Sequence, residues 1–335
     1  MANPVLVEVW RGGTVESRHR GAAVIVDSHG GIRAGWGDVD ALVFPRSAVK
    51  PLQAIPLIES GAADRYGLSQ REIALACASH TGEAAHVTAV AAWLARVGLG
   101  EADLVCGPQI PLGEAAAHAL HRAGAAPSRL HNNCSGKHAG FLTAALYLGL
   151  PTRGYGQPSH PLQEQVRRIL AEMGGVDGPL DVLAGDGCGV PTVAMPLHTL
   201  ARSFATLADP QGQPEPRRES IRRIMAAMTA QPWFVSGTGR FDTLVIESGR
   251  GALIVKGGAE GVCAAALPGR GLGIALKIDD GAKRAAEVAM AAVLARFLPE
   301  GGALAGLLAD LAAMPIQDTR CQRVGVVRPA AGWPG

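Results

Sequence analysis

The sequence of 335 residues predicts an α+β fold in which both ends of the chain contribute strands to one antiparallel sheet, with a helical region between them. Three observations favour this fold: β-type runs near the start, a long middle with apolar residues at helical spacing, and β-type runs again after about residue 240. Strands and helices segregated in this way are typical of α+β proteins. We expect a single catalytic unit over 1–335, with sheet-forming parts at about 1–45 and 240–335 and a helical part at about 46–239.

The first sheet-forming part begins with two short β-type runs, Val5–Trp10 and Ala22–Asp27. Gly12, Gly13 and a polar stretch separate them, which predicts an antiparallel hairpin. A turn then leads into a third short run, Ile32–Trp36.

The helical part begins near Ser47. Apolar residues continue at helical or buried spacing through Ile73–Ala78 and an alanine-rich stretch that ends near Val97. Three later segments carry apolar residues at helical spacing; they are Gly136–Leu150, Leu162–Met173 and Arg218–Met228. The stretch Asp209–Pro216 is polar and rich in proline, and is predicted to be a surface loop.

The β pattern returns in three runs near the end of the chain, Leu244–Glu247, Ala252–Lys256 and Gly273–Ile278. A turn of two aspartates and a glycine then precedes Ala282–Phe297, which has the pattern of an amphipathic helix.

Composition excludes several classes of protein. The chain has 31 basic and 29 acidic residues, a net charge of +2, with no long run of like charge, so neither a nucleic-acid partner nor a membrane surface is expected. No uncharged run approaches the roughly 18 residues of a membrane span, and no export signal is recognised near the N-terminus. We therefore expect a cytoplasmic protein. Its six widely spaced cysteines favour thiol or metal chemistry at least as much as disulfides.

Lysine is scarce among the basic residues. Only five of the 31 are lysine: Lys50, Lys137, Lys256, Lys277 and Lys283. Arginine is always protonated, whereas a buried lysine amine can lose its proton and act as a base or a ligand. The first three lie in short motifs with serine, cysteine or glycine and are predicted to carry chemistry, whereas the last two are expected to be surface charges.

The first motif is Ser47-x-x-Lys50. Side chains three residues apart on a helical turn share a face, so the amine can reach the hydroxyl and remove its proton. The spacing alone fits an ordinary helix start equally well.

Two further motifs accompany Ser47-x-x-Lys50. They are Ser79-His80-Thr81-Gly82, and Lys256-Gly257-Gly258 at the end of a predicted strand. Serine–lysine acyl-transfer enzymes carry S-x-x-K, a second serine motif and K-[ST]-G in this order. Both motifs here depart from the penicillin-binding pattern. Taken singly, each also fits a plain turn at the end of a strand.

A fourth motif pairs the segment His131–His138, which includes Cys134 and Lys137, with the glycine-rich segment Gly185–Gly189 around Cys188. Sulfur ligands beside a nitrogen ligand suit zinc. The segments lack C-x-x-C pairs, so buried cysteines beside a helix cap are the alternative. A phosphate loop is excluded, because His131 stands where its first glycine is required.

Together these motifs resemble the Rhizobium etli-type L-asparaginases, the class 3 or thermolabile family. They occur in the family order, and the resemblance covers almost the whole chain. It implies a fold related to serine β-lactamases, penicillin-binding proteins and glutaminases, L-asparagine as the substrate, and a homodimer.

The resemblance also implies residue roles. Two serine–lysine pairs, Ser47 with Lys50 and Ser79 with Lys256, would carry the chemistry. A metal ion, usually zinc, would be bound by Cys134, Lys137 and Cys188. The residues expected at the substrate are Arg46, His80, Asn133, His138 and Asp186.

The expected mechanism is acyl transfer, with Lys50 as base and Ser47 as nucleophile on the side-chain amide of asparagine. Three alternatives remain open at this point. They are a zinc-dependent amidohydrolase, a serine–lysine penicillin-recognising enzyme, and a non-catalytic metal-binding protein; the missing export signal and missing K-[ST]-G hydroxyl weigh against the second.

Overall fold

The computed structural model of the protein describes residues 2–298 and 301–335. Its strands are β1 (Val5–Arg11), β2 (Thr14–Asp27), β3 (Ile32–Trp36), β4 (Leu42–Val43), β5 (Leu183–Gly185), β6 (Pro191–Val193), β7 (Met195–Pro196), β8 (Ile254–Gly257), β9 (Val262–Leu267), β10 (Leu272–Ile278), β11 (Met314–Gln317) and β12 (Arg323–Pro329). Its α-helices are α1 (Lys50–Gln53), α2 (Ile55–Glu59), α3 (Ala62–Arg65), α4 (Gln70–Ala76), α5 (Ala84–Arg96), α6 (Glu114–Arg122), α7 (Ser135–Tyr147), α8 (Pro161–Gly174), α9 (Leu197–Ala208), α10 (Glu215–Ala230), α11 (Pro232–Ser236), α12 (Phe241–Gly249), α13 (Lys283–Phe297) and α14 (Gly302–Ala312). No helix in these two ranges combines the length and the apolar character that a bilayer span requires.

The chain divides into two compact units. The first is formed by Met1–Ala48, Met195–Ala208 and Val255–Gly335, and the second by Val49–Ala194 and Asp209–Ile254.

One antiparallel sheet dominates the first unit. Its strands follow the order β11-β12-β1-β2-β10-β9-β8, and β3 pairs with β2. Strand β1 pairs with β12, with Val9 opposite Val327, and β2 pairs with β10, with Ile25 opposite Ile274. Both ends of the chain therefore build the same sheet, and the predicted α+β class is confirmed.

The predicted hairpin joins β1 to β2. Gly12 and Gly13 both have left-handed backbone angles, φ +52° and +81°, which glycine adopts without steric cost. Strand β2 begins at Thr14, earlier than predicted. Side chains in its first half alternate between exposed and partly buried, whereas Ala22–Val26 is buried throughout. A half-exposed antiparallel strand carries polar residues, and these hid its start in the sequence.

Helices cover the middle of this sheet. Four successive residues of β10, Gly273–Leu276, are buried, so both faces of the strand are covered. Helices α9 and α13 both contact β10. Helix α9 approaches most closely at Gly273, where a Cβ atom would lie 2.0 Å from the carbonyl oxygen of Ala201. Only glycine leaves room for this approach.

One predicted strand is wrong. Leu244–Glu247 lies within helix α12. Its buried residues include Phe241, Val245 and Gly249, which are spaced four apart, as on one face of a helix. A short run of β-branched residues cannot be assigned by periodicity alone, and here tertiary packing in the second unit decides.

Helix α7 forms the core of the second unit. Every residue from Ser135 to Ala145 is buried, as expected of a helix surrounded on all sides. Trp93 of α5 donates to the hydroxyl of Thr143 at 3.0 Å. The elements in contact with α7 include α2, α3, α4, α5 and α8. The segment from Cys134 to His138 thus lies at the buried start of this helix.

Candidate active site

Ser79 lies in the loop that follows α4. The helix starts at a capping box, in which the backbone N–H of Ser69 donates to Glu72 at 2.8 Å. Two backbone bonds fix the loop at its other end. The N–H of Ser79 donates to the carbonyl oxygen of Val235 at 2.9 Å, and the N–H of His80 to that of Asn133 at 3.2 Å.

Lys50 reaches this loop from the start of α1. Its side chain is fully buried. Its Nζ donates to the carbonyl oxygen of Ala78 at 2.5 Å and lies 3.0 Å from Oγ of Ser79, within hydrogen-bonding distance. Ser79 is only half-buried. The second unit therefore presents a serine hydroxyl that has a buried lysine amine behind it, the arrangement that proton transfer between the two requires.

In the first unit, Ser47 lies on a 3₁₀ turn, Arg46–Val49. Arg46 has a left-handed backbone with φ +52°, an uncommon conformation for a residue with a side chain. The N–H of Ala48 donates to the carbonyl oxygen of Pro45 at 3.0 Å. Such strain is retained where the surrounding structure enforces it, often at functional sites.

The end of strand β8 packs on this turn. A Cβ atom at Gly258 would lie 2.6 Å from the carbonyl oxygen of Pro45 and 3.3 Å from the nitrogen of Ala48. Two residues earlier, Lys256 is fully buried, and its Nζ donates to the carbonyl oxygen of Gly257 at 2.8 Å. The Lys256-Gly257-Gly258 motif and the turn that carries Ser47 are thus neighbours in the first unit.

The predicted metal ligands meet in the second unit. Cys134 precedes α7, and Cys188 lies in the loop between β5 and β6. Nζ of Lys137 lies 3.0 Å from Sγ of Cys188, and the two thiols are hydrogen-bonded to each other. All three side chains are buried. Within the described ranges no three His, Cys, Asp or Glu side chains form a metal-binding group, so this cluster depends on the lysine nitrogen.

The electrostatics of this cluster are those of a thiolate beside an ammonium group. The hydrogen bond from Cys188 lowers the pKa of Cys134, and holding the proton in that bond raises the pKa of Cys188. Burial opposes the charge of Lys137, but the sulfurs of Cys188 and Cys134 outweigh it and raise the lysine pKa. These shifts favour a negative sulfur at Cys134 beside a positive amine at Lys137.

Asp186 lies in the same loop as Cys188. Its backbone N–H donates to the carbonyl oxygen of Val190 at 2.9 Å, and Gly189 has a left-handed φ of +85°. One carboxylate oxygen accepts from the N–H of Gly187 at 2.8 Å, and the other lies 3.7 Å from Sγ of Cys188. The loop therefore holds the carboxylate beside the sulfur cluster.

His80 is fully buried, and burial, followed by the nearby His86 and Lys50, lowers its pKa. Its Nδ1 accepts from the N–H of Gly82 at 3.1 Å, so its Nε2–H donates to Oγ of Ser135 at 2.9 Å. Protein groups thus engage both nitrogens. A role for His80 at the substrate stays a prediction.

His138 and Tyr155 form a second buried pair. Nδ1 of His138 lies 2.6 Å from the phenol oxygen of Tyr155, which also accepts the N–H of Val105 at 3.1 Å. Burial, followed by the charges of Lys137 and Lys50, lowers the pKa of His138. Nε2 of this histidine is buried without a partner among the described residues.

The family model for L-asparaginase II matches residues 7–329, which is nearly the whole chain. The chain belongs to the L-asparaginase II family. The resemblance drawn from the sequence motifs is confirmed. This L-asparaginase is a hydrolase that acts on amides, and asparagine is its small-molecule substrate. Among curated proteins, none matches this chain.

Several solved structures are similar to this L-asparaginase. A β-lactamase (Mb2281c) from Mycobacterium bovis is 17% identical, with a TM-score of 0.43 over 83% of this chain and 94% of the other. Mglu in its native form is 16% identical, with a TM-score of 0.43 over 89% and 70%. Simvastatin synthase (LovD) from Aspergillus terreus is 12% identical, with a TM-score of 0.39 over 77% and 87%. These likenesses are too distant to carry an argument about chemistry.

Each of the two predicted catalytic lysines of this L-asparaginase lies near one of the predicted serines. In the second unit, the hydroxyl within reach of Lys50 is that of Ser79. In the first, the strand end after Lys256 packs on the turn of Ser47. The predicted pairing of Ser47 with Lys50 and of Ser79 with Lys256 stays a prediction, to which the structure adds the contact between Lys50 and Ser79.

Tyr155 was not predicted from the sequence. The chain has three tyrosines, and this one stands between Gly154 and Gly156. An isolated aromatic between two glycines gives no helical or strand periodicity, so its burial against His138 could not be predicted.

Proposed function

We propose that this L-asparaginase hydrolyses L-asparagine through a serine acyl-enzyme, with Ser47 as nucleophile, Lys50 as general base and Ser79 as proton relay. The distance of 3.0 Å between Nζ of Lys50 and Oγ of Ser79 is the observation that carries the proposal, because it places a hydroxyl where the base can pass on its proton.

The proposed reaction has two halves. Oγ of Ser47 attacks the side-chain amide carbon while its proton passes to Lys50. The tetrahedral intermediate then collapses, a proton relayed through Ser79 reaches the amide nitrogen, and ammonia leaves. In the second half a water molecule loses a proton to the same base and attacks the ester carbon, which releases aspartate and returns the proton to Ser47.

Three charged groups have supporting roles in the proposal. Lys256, buried next to the turn of Ser47, contributes positive charge near the nucleophile. Asp186 binds the α-ammonium of asparagine, and Arg46 binds its α-carboxylate. The half-buried carboxylate of Asp186 accepts the backbone N–H of Gly187, which supports a fixed ammonium site.

We also propose zinc as a bound metal. Cys134, Lys137 and Cys188 fit it, since Sγ of Cys188 is hydrogen-bonded both to the amine of Lys137 and to the thiol of Cys134, and zinc prefers sulfur and nitrogen ligands. Lys137 and Cys188 would release their protons on binding. When bound, the ion would supply a fixed positive charge that holds this cluster and the loop of Asp186 in place.

The test of the nucleophile compares two variants. Ser47→Ala should abolish ammonia release, and hydroxylamine should trap an aspartyl hydroxamate from the wild-type enzyme but not from Ser47→Ala. Ser79→Ala should slow turnover while still forming hydroxamate. Turnover retained in Ser47→Ala and lost in Ser79→Ala would move the nucleophile to Ser79. Full activity of both variants would end the serine mechanism.

The remaining alternatives are separated by substrate and chelator. Ammonia release from asparagine, glutamine and a β-lactam control is measured with and without a chelator. The serine mechanism predicts that chelation changes the rate and leaves the hydroxamate trap intact. A zinc hydroxide enzyme would lose all activity on chelation. Preferred hydrolysis of the β-lactam would favour the penicillin-recognising class, and no turnover at all would favour the metal-binding protein.

A homodimer and a cytoplasmic location complete the proposal. Val105, Ile110 and Leu112 are exposed within one short segment of the second unit, which supports an apolar contact surface. All six cysteines are free, as expected in a reducing compartment. Sedimentation or a sizing column tests the dimer, and fractionation of the source cells tests the location.

A further inference from the structure

In the second unit, Tyr155 fixes the orientation of the His138 imidazole. Both side chains are fully buried. The two rings meet edge to face, with centroids 5.6 Å apart and planes at 77°, so packing as well as the 2.6 Å hydrogen bond fixes the imidazole.

Counting donors and acceptors selects one tautomer of His138. The phenol oxygen of Tyr155 accepts the N–H of Val105 and has one proton of its own to donate. Nδ1 of His138 is the acceptor within reach. If Nδ1 carried the proton instead, the phenol would accept twice and its own O–H would be buried without a partner, which costs free energy. The phenol O–H therefore donates to Nδ1, and the imidazole proton is on Nε2.

Burial strengthens this assignment from the side of the phenol. It raises the pKa of Tyr155, so the O–H keeps its proton and remains a donor. The peptide around the ring is also fixed, since the side chain of Gln163 donates to the carbonyl oxygen of Tyr155 at 2.9 Å.

Nε2 is the atom of His138 that faces no protein partner among the described residues. A buried N–H without an acceptor is rare in folded proteins, so this atom is expected to donate to a water molecule or a ligand. His138 follows Lys137 in the chain, and the charges of Lys137 and Lys50 both lower the pKa of its ring. The lysine of the Lys50–Ser79 contact is therefore among the charges near this ring.

We propose that Tyr155 is a positioning residue that holds His138 as an Nε2–H donor to an oxygen of the bound substrate. This inference rests on the proposed function for the identity of the substrate, L-asparagine. The tautomer itself depends only on the contacts among Tyr155, Val105 and His138.

A double-mutant cycle tests the role. Glutamine at position 138 places an amide N–H near the site of Nε2, whereas asparagine places one near Nδ1. His138→Gln should therefore retain more of kcat/KM than His138→Asn. Tyr155→Phe should lower kcat/KM about 10- to 100-fold in the wild-type background, but less than about twofold in His138→Gln, where no tautomer remains to be selected.

The matched control is Tyr147→Phe, the same change at a tyrosine that is 42% exposed at the end of α7, and it should leave kcat/KM unchanged. A loss from Tyr155→Phe that is equal in the wild-type and His138→Gln backgrounds would make Tyr155 a structural residue and overturn the proposal. Thermal unfolding of each variant identifies losses that come from the fold.

Nitrogen NMR of the histidine-labelled enzyme tests the tautomer without turnover. His138, identified by the signal missing in His138→Gln, should show a protonated Nε2 and an unprotonated Nδ1. A proton on Nδ1 in the wild-type enzyme refutes the inference, even if Tyr155→Phe fails to fold. If the wild-type enzyme does not release ammonia but shows the Nε2–H form, the proposed function falls and the tautomer stands.

Discussion

Gly136 gives the sharpest test of how the site is built. It lies between Ser135 and Lys137 on α7, where this helix crosses α4. A Cβ atom at Gly136 would lie 2.3 Å from the carbonyl oxygen of Leu75 and 2.8 Å from its carbonyl carbon. Carbon atoms in proteins pack at about 3.5–4.0 Å. Because the obstacle is backbone, Gly136→Ala must separate the two helices by roughly 1 Å.

The cost can be worked out from two opposing terms. Overpacking of a core costs up to about 3 kcal/mol, while alanine in place of glycine within a helix returns about 1 kcal/mol. The net loss is about 2 kcal/mol, which lowers Tm by about 4–8 °C for a domain of this size. Activity should fall more, since α7 carries Lys137 and α4 leads to Ser79, and a misplacement of about 1 Å can cost 10²-fold.

Gly140→Ala is the matched control one turn later on the same helix. Its Cβ atom would meet Cβ of Ala76 at 3.4 Å, an ordinary contact. It should therefore raise Tm by about 2–4 °C through helix propensity alone and leave ammonia release unchanged. Both variants are measured by thermal unfolding and by ammonia release from asparagine. Equal Tm and equal activity in Gly136→Ala and Gly140→Ala would refute the steric argument.

Three further predictions follow from other contacts. Lys50→Met keeps the buried stem without the amine, so ammonia release should fall about 10²- to 10⁴-fold; an active variant would remove Lys50 from the mechanism. Lys137→Arg cannot offer a neutral nitrogen, so metal analysis after dialysis should find less zinc per chain than in the wild type; an unchanged zinc content would exclude the lysine as ligand. Burial opposes the charge of Glu72, but hydrogen bonds from Ser69 and Arg96 lower its pKa below 4.5. The stability advantage of the wild type over Glu72→Gln should thus be full above pH 4.5 and shrink as the pH falls through the lowered value, and urea unfolding midpoints that keep a constant difference down to the acid limit would contradict this.

The sheet could be predicted because its signals are local. Val5–Trp10, Gly273–Ile278 and the glycine turn after β1 show β periodicity or turn chemistry in a few residues. Leu244–Glu247 failed for the opposite reason: its β-branched residues satisfy a strand pattern, and only the surroundings in the second unit make it a helix. Local sequence does not contain that information.

In the candidate site, too, local sequence predicts some features, and others depend on tertiary structure. Residue type and spacing were enough to predict Lys50, Cys134 and Lys137 as candidates, because lysine is scarce and the motifs are short. Sequence spacing paired Lys50 with Ser47, three residues away. The contact with Ser79 depends on how α1 meets the loop after α4, which no spacing encodes.

Because the cysteines differ in burial, the reactivity of their thiols can report local opening of the structure. Cys321 is exposed in the turn between β11 and β12, whereas the other five thiols are buried. A thiol reagent should modify the native protein rapidly at this one position, which makes it a handle for a dye or a surface. The remaining thiols react only when their surroundings open. Cys263 would then report opening of the first unit, and Cys77 and Cys106 opening of the second, so the two units can be timed separately in one experiment.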